Sequence, residues 1–485
     1  VNHALCHAAV RCTIRGVKAA GLKGTRGTSF EKGLTMQSTL DRRSFVAGAA
    51  ATVAGAAALA AAPRLSSADE AAQKAAQMGV HTWDVKPDPI TDIAETYDYD
   101  VVVVGGGIAG TNAAESAARN GATVALIERT SQIQFRGYDV SAINCDRKIE
   151  LDGEIDLDTA CRLLYLWSQS TINYKLLRTW ADNAAPVFNK IEKLVNEQGV
   201  YMVSALSGTA KYGWDTLDER WRVYPDAVSF VRGDGDEVSG DRADGQSCNV
   251  TFGECLYNSA VENGAEFFFD TRAEQLVGDA ETGITGVIAT DADGNHIQFN
   301  AAKGVVIATG DIAGNQEMID AWAPICNRAD SLLYTPGGCN TGDGILMGMW
   351  AGAGLGKSPA APMVHQFTMQ NFSYSFTHFV LSELAVNMNG ERYGADIPFE
   401  PYLTNARMQT PGNQAWSIFD GNIKTWIEQQ WPEGHSERWL DGLDEQMEEA
   451  IEKGDLIKAD TIEELAEKIG VPADNLVATC AQYTE

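Results

Sequence analysis

Short apolar runs, rather than long amphipathic stripes, dominate the pattern from residue 99 onward. Residues 99–104 (YDVVVV) and 123–127 (TVALI) are β-branched and almost wholly apolar, as strands buried on both faces of a parallel sheet require. The stretch between them, TNAAESAARNGA (111–122), carries small residues at helical spacing and predicts a helix lying close against that sheet. Residues 266–279 (EFFFDTRAEQLVGD) and 283–301 (GITGVIATDADGNHIQFNA) predict a β-meander with a turn at Asp293-Gly294. Apolar side chains alternate there at Ile297, Phe299 and Ala301. KGVVIATG (303–310) predicts a further buried strand, and residues 149–164 and 177–194 predict amphipathic helices. Strands alternating with helices place the chain in the α/β class.

The turn between the first strand and its helix carries the most specific chemistry. Gly105-Gly106-Gly107-Ile108-Ala109-Gly110 follows the strand directly, and Glu128-Arg129 ends the second strand, with Glu128 18 residues past Gly110. The expectation is one job per position. Gly105 permits the tight turn, Gly107 lets a diphosphate approach the backbone, and Gly110 lets helix and strand pack closely. The helix N-terminus offers unpaired N–H groups to phosphate, and Glu128 can accept from ribose hydroxyls. The returning strand closes on Ala308-Thr309-Gly310-Asp311. A Rossmann-like start, a meander and a strand ending in ATG resemble the plan of two-dinucleotide-fold flavoproteins.

The front of the chain reads as an address. Residues 41–62 (DRRSFVAGAAATVAGAAALAAA) pair Arg42-Arg43 with a mild Ala/Gly-rich run, the pattern of a twin-arginine export signal. Ser66-Ser67-Ala68 offers a small-residue site for cleavage before Asp69. Residues 1–35 show no periodicity and are expected to be untranslated or disordered, with Met36 as the true start and the signal at 36–68. The polar stretch 69–96, with Pro87 and Pro89, is expected to be a linker. The resemblance to flavoproteins implies an FAD-binding domain at 97–358, lacking its C-terminal part, and a substrate-capping domain at 359–485.

Composition narrows the partners. Net charge is −29, and the first 68 residues hold nine Lys/Arg against two acids, so the acidic excess belongs to the remainder. Such a surface argues against nucleic acid. Nine cysteines occur without any CxxC or CxxCH, which excludes c-type haem attachment and gives no iron–sulfur pattern. No metal site is expected.

Further pieces carry a family resemblance from about Tyr97 to the end of the chain. Thr341-Gly342-Asp343-Gly344 with MGMWAGAG (347–354), and VNMNGERY (386–393), join the fingerprint and the ATG strand. Together they resemble the FAD-binding flavoprotein of fumarate reductases and succinate dehydrogenases. The two amphipathic segments look like a subgroup of exported reductases from anaerobic bacteria. The resemblance implies a Rossmann-like two-dinucleotide-binding FAD domain with a β-meander, plus an α+β substrate-capping domain. It implies reduction of the C=C bond of an α,β-unsaturated organic acid or enone, with electrons from a separate haem or FMN carrier protein. It also implies passage through the twin-arginine translocase to a periplasmic or cell-envelope location. No His lies in residues 129–145, so FAD is expected to be non-covalent. Family members close their flavin site with a GLYAAGE-like segment. This chain ends without one, so it is expected to be C-terminally truncated and its capping domain incomplete.

At the catalytic positions the resemblance fails in an informative place. The family's proton-donating Arg falls 13 residues past the Asn of its VN pair, and counting from Asn387 reaches Glu400. Arg407, seven residues on, and Tyr402 are the alternative donors, and His365 lies near the family's carboxylate-binding His. Glu400 cannot clamp a carboxylate as Arg does. Together with the aromatic run NFSYSFTHF (371–379), it points away from fumarate toward a bulkier aromatic or enone substrate. Two alternatives stay open: a dehydrogenase of the 3-ketosteroid desaturase type, and an inactive truncated remnant.

Overall fold

Parallel strands with no polar alternation must be covered on both sides, and this determines the architecture around residue 105. The computed structural model describes residues 7–12, 65–135, 140–168, 170–204, 227–232, 248–328, 338–356, 384–394, 406, 408–430, 440, 442–454 and 456–484. Its strands are β1 (His7–Cys12), β2 (Ile93–Val104), β3 (Val124–Ile127), β4 (Val140–Ser141), β5 (Val200–Ser204), β6 (Ala227–Arg232), β7 (Ala265–Phe268), β8 (Arg272–Asp279), β9 (Gly283–Thr290), β10 (His296–Ile307), β11 (Leu384–Asn387), β12 (Ala415–Asp420) and β13 (Leu456–Ala459). The helices used below are α1 (Ser67–Met78), α2 (Ile108–Arg119), α3 (Leu157–Trp167), α4 (Tyr174–Asn196), α5 (Cys248–Glu262), α6 (Gln316–Trp322), α7 (Asp343–Trp350), α8 (Ile462–Ile469) and α9 (Ala473–Thr484).

A six-stranded sheet in the order β7-β3-β2-β10-β9-β8 forms the centre. β7, β3, β2 and β10 run parallel, and β9 and β8 fold back as the antiparallel meander. Successive residues of β2 and β3 feed two cores. Val103, Val124 and Leu126 pack with Ala114 and Ala118 of α2 and Ala260 of α5. Val102, Val104, Ala125 and Ile127 pack on the other face with Val287, Phe299 and Met347. A three-stranded sheet, β4-β6-β5, buries Met202, Val228 and Phe230 against Ile191 and Val195 of α4 and Phe252 and Leu256 of α5.

The structure differs from the sequence reading in four local places. First, the meander strand and the ATG strand are one element, β10. It continues through a register shift between Ala301 and Gly304, where Gly304 has φ +150°. A bulge lets one strand absorb a residue that breaks alternation, so the pattern alone reads as two strands. Second, β2 begins at Ile93, because the bulged β10 offers it backbone partners as far back as His296.

Third, the expected linker 69–96 is largely ordered. Residues 67–78 form α1, with Ser66 capping the N–H of Asp69 and with Ala71 and Ala75 buried. Two alanines one turn apart are too weak an apolar stripe to stand out in a polar stretch. The cleavage site expected before Asp69 would fall inside the first turn of this helix. Fourth, residues 1–35 were expected to lack structure, yet His7–Cys12 form β1. It lies between β12 and β13 in the sheet β11-β12-β1-β13 and pairs antiparallel with both. Its backbone donors and acceptors thereby find partners on two sides, which a six-residue segment cannot supply for itself. Leu384, Val386, Trp416 and Ile418 of that sheet pack on Leu465 and Ile469 of α8 and Leu476 of α9.

Candidate flavin-binding site

A cleft of about 330 Å³ opens at the carboxyl ends of β2, β3 and β10, where the chain leaves β2 with neighbours on both sides. Crevices at such a switch point are the ligand sites of open α/β sheets. Three turns build it. The first is Gly105–Gly107. Gly105 has φ +105°, and a Cβ there would stand 2.4 Å from the Ala308 carbonyl oxygen, so the β2 turn presses directly on the end of β10. Gly107 is the N-cap of α2, and the first residues of that helix, Ile108 and Ala109, line the cleft. Around Gly107 there is open space: an added Cβ would meet only the Gln134 carbonyl oxygen, at 3.5 Å.

Glu128 supplies the second wall. It is 6% exposed. One carboxylate oxygen accepts from the Gly106 N–H at 2.7 Å, and the other from the Thr130 N–H and hydroxyl, each at 2.8 Å. The side chain therefore braces the Gly106 turn against β3 while one acceptor site of Oε2 remains open toward the cleft wall.

The third wall comes from α7 and from the loop after β10. Arg129 donates to the Thr341 hydroxyl at 2.9 Å and pairs with Asp343 at 3.4 Å. Arg272 donates from Nε to Asp343 at 3.0 Å, and the Thr341 hydroxyl donates to the other Asp343 oxygen at 2.7 Å. Burial opposes the charge of Arg272, but Asp343 and Glu274 outweigh it and raise its pKa. Asp343 is thus held between two guanidinium groups.

The structure brings Gly105, Gly107, Ile108, Ala109, Glu128, Arg129, Thr309, Gly310, Asp311 and Asp343 to the cleft wall. Gly110 and Gly342 stand behind it. A Cβ on Gly110 would come within 1.8 Å of the Gly105 carbonyl oxygen, and one on Gly342 within 2.4 Å of the Met318 sulfur. Asp311 turns toward its own loop and accepts from the Ala313 N–H at 2.8 Å. Arg272, Asn340 and Gln134 also line the cleft, and sequence reasoning missed them. Arg272 had one signal, its place just after the end of a parallel strand. The catalytic candidates His365, Glu400, Tyr402 and Arg407 lie outside the described residues, as does the aromatic run 371–379. Among the described residues no cluster of His, Cys, Asp or Glu could hold a metal ion.

Residues 249–485 match the family model described as an FAD binding domain, and residues 100–133 match one described as an FAD dependent oxidoreductase. The probable fumarate reductase Ifc3 of Shewanella frigidimarina is 23% identical over 435 residues, covering 83% of this chain and 65% of that protein. These matches support the FAD-binding fumarate reductase/succinate dehydrogenase flavoprotein-like family for this chain. The NADH:acrylate oxidoreductase of Vibrio harveyi is 31% identical over 241 residues, 48% of this chain and 22% of that protein. This flavoprotein thus spans about two thirds of one relative and under a quarter of the other. The fold is shared with the 3-ketosteroid-Δ4-(5α)-dehydrogenase of Rhodococcus jostii RHA1, solved with 4-androstene-3,17-dione. The TM-score is 0.56 at 20% identity, covering 81% of this chain and 78% of that one.

The cofactor of the family is FAD, and the cleft fits it. The open backbone at Gly107 and the α2 N-terminus suit a diphosphate, and Glu128 suits a ribose. With no His in residues 129–145 to form a bond to the flavin, acid precipitation is expected to release intact FAD into the supernatant. Yellow colour remaining in the washed pellet would refute non-covalent attachment.

Proposed function

We propose that this flavoprotein reduces the C=C bond of an α,β-unsaturated organic acid or enone. The reading is carried by one observation: the FAD cleft belongs to a chain that aligns over 83% of its length with a probable fumarate reductase. Bound FAD supplies the hydride to one carbon of the activated bond. The chain's residues do the rest. Gly105–Gly107 and the α2 N-terminus hold the diphosphate, Glu128 holds the ribose, and the Arg129–Asp343–Arg272 cluster keeps that wall rigid. Arg407 and Tyr402 are the candidates for protonating the neighbouring carbon, and His365 for orienting the substrate's carbonyl or carboxylate. Electrons reach the flavin from a separate haem or FMN protein. The enzyme works outside the cytoplasm after twin-arginine export, as a terminal reductase in anaerobic metabolism.

Glu400, at the position where fumarate reductases carry arginine, supports a substrate other than fumarate. A carboxylate there repels a dicarboxylate that arginine would hold. In an assay with reduced viologen as donor, turnover with cinnamates or enones is expected to exceed turnover with fumarate by at least about tenfold, equivalent to ~1.4 kcal/mol. Fumarate as the best acceptor would overturn the substrate assignment. Oxidation of a saturated ketone with an artificial acceptor, faster than any reduction, would favour the dehydrogenase reading instead.

A further inference from the structure

The N-terminal segment that reads as a linker is fastened to the back of the FAD cleft. Ser67, the first residue of α1, is 5% exposed, and its N–H donates to Oε2 of Glu274 at 2.7 Å. Glu274 is itself 5% exposed and lies next to Arg272 on the inner face of the meander. Its other oxygen is 4.0 Å from Nε of Arg272, the nitrogen that donates to Asp343. A continuous line therefore runs from α1 through Glu274 and Arg272 to Asp343 on the cleft wall. The segment is held elsewhere too. Gln275 donates to the Ser67 hydroxyl at 3.0 Å and to the Asp88 carbonyl at 2.8 Å, and the Thr82 hydroxyl donates to Glu317 of α6 at 2.6 Å.

A second observation falls at the same place. A void of about 10 Å³ is lined by Ala68 of α1 together with Arg272, Glu274, Asp343 and Trp350. The indole N–H of Trp350 is buried and has no hydrogen-bond partner. The void is about the size of one water molecule and is lined largely by apolar atoms, Ala273, Leu346 and Met347 among its residues, so the orphaned Trp350 N–H is the polar group there left without a partner. Ala68 of α1 forms one side of that void. Without α1 Glu274 and the ion pair behind the cleft would face bulk solvent, and the geometry of Arg272 would relax.

We propose that α1 is a positioning element of the FAD site, acting on Arg272 and Asp343 through Glu274. The proposal rests on FAD occupying the cleft. It also requires that any removal of a leader leave Ser66 and Ser67 in place, because a cut before Asp69 would delete both the helix cap and the bond to Glu274.

The test uses the isosteric change Glu274→Gln and the pair Ser67→Pro and Ser67→Ala, in the full chain. Proline is accepted at the first helical position, and Ser66 already has the extended backbone (φ −67°, ψ 159°) that a residue before proline adopts. Ser67→Pro thus removes the N–H and leaves the helix, whereas Ser67→Ala removes only the hydroxyl. FAD affinity is read by the quenching of free-flavin fluorescence, with melting curves as a check on folding. Ser67→Pro is expected to weaken FAD binding at least about fivefold more than Ser67→Ala, and Glu274→Gln by about tenfold.

A pH series separates positioning from simple loss of stability. Burial raises the pKa of Glu274, partly opposed by Arg272 and the Ser67 N–H. The other charged groups around the pair are Asp343 on α7, Asp69 on α1 and His296 on β10. As pH falls through that raised value Glu274 loses the charge that holds Arg272, so wild-type affinity is expected to fall. Glu274→Gln should lack that limb and stay at the weaker level throughout. Equal affinities for the two Ser67 variants, or the same pH limb in Glu274→Gln as in the wild type, would overturn the proposal. A wild-type chain that binds no FAD at any pH would instead remove the cofactor assignment on which it rests.

Discussion

Gly107→Ala is expected to leave the apo fold as stable as the parent while abolishing FAD binding, whereas Gly110→Ala is expected to damage the fold itself. The two glycines belong to one fingerprint but meet different surroundings. At Gly107 the backbone has ordinary negative φ (−80°), and an added methyl would touch only the Gln134 carbonyl oxygen at 3.5 Å. The methyl is therefore harmless until a diphosphate needs the same space. Apo stability should change by less than about 0.5 kcal/mol, as for substitutions that touch nothing. FAD affinity should fall at least about 100-fold, or ~2.7 kcal/mol. At Gly110 the methyl would sit 1.8 Å from the Gly105 carbonyl oxygen and 3.3 Å from Ala308 Cβ. Backbone cannot swing aside as a side chain can, so α2 must lift from β2 and β10. That costs on the order of 3 kcal/mol, the upper range for overpacking. Thermal melts of both apoproteins with flavin titrations decide the matter. A stable Gly110→Ala protein that binds FAD normally would mean that α2 does not pack as described.

Glu128→Ala is expected to weaken FAD binding and lower stability together, because this carboxylate braces the turn and also stands on the cleft wall where the ribose is proposed to lie. Sequence reasoning assigned it a ribose contact alone. In the fold it also accepts the Gly106 N–H and the Thr130 N–H and hydroxyl. Removing it leaves two backbone donors without partners in a nearly closed space, at about 1–3 kcal/mol. Loss of the ribose contact adds a similar amount to the cost of binding, about 10–100-fold in affinity. Glu128→Gln should recover only part of either effect. An amide has one acceptor oxygen, so its NH₂ must face one of the two backbone N–H groups. Unchanged melting of Glu128→Ala would show that water replaces the carboxylate at the turn. Unchanged flavin affinity would remove Glu128 from the cofactor site.

The sequence by itself determined the strand, glycine turn and helix at residues 99–119, because that signal is local. Gly105, Gly107 and Gly110 act through backbone geometry over six residues, and the strands on either side announce themselves as uniformly apolar. The meander was legible for the same reason, through the alternation at Ile297, Phe299 and Ala301. The tertiary structure alone decided what depends on partners far along the chain. Helix α1 is nearly invisible in a polar stretch, since its order comes from Glu274 and Gln275, about 200 residues away. β10 reads as two strands until its pairing with β2 shows one strand carried through a bulge at Gly304. The placing of Asp343 between Arg129 and Arg272 joins three turns that no periodicity relates. A carboxylate held by two guanidinium groups is a property of a crevice, and the crevice exists only once the strands that end there have been aligned.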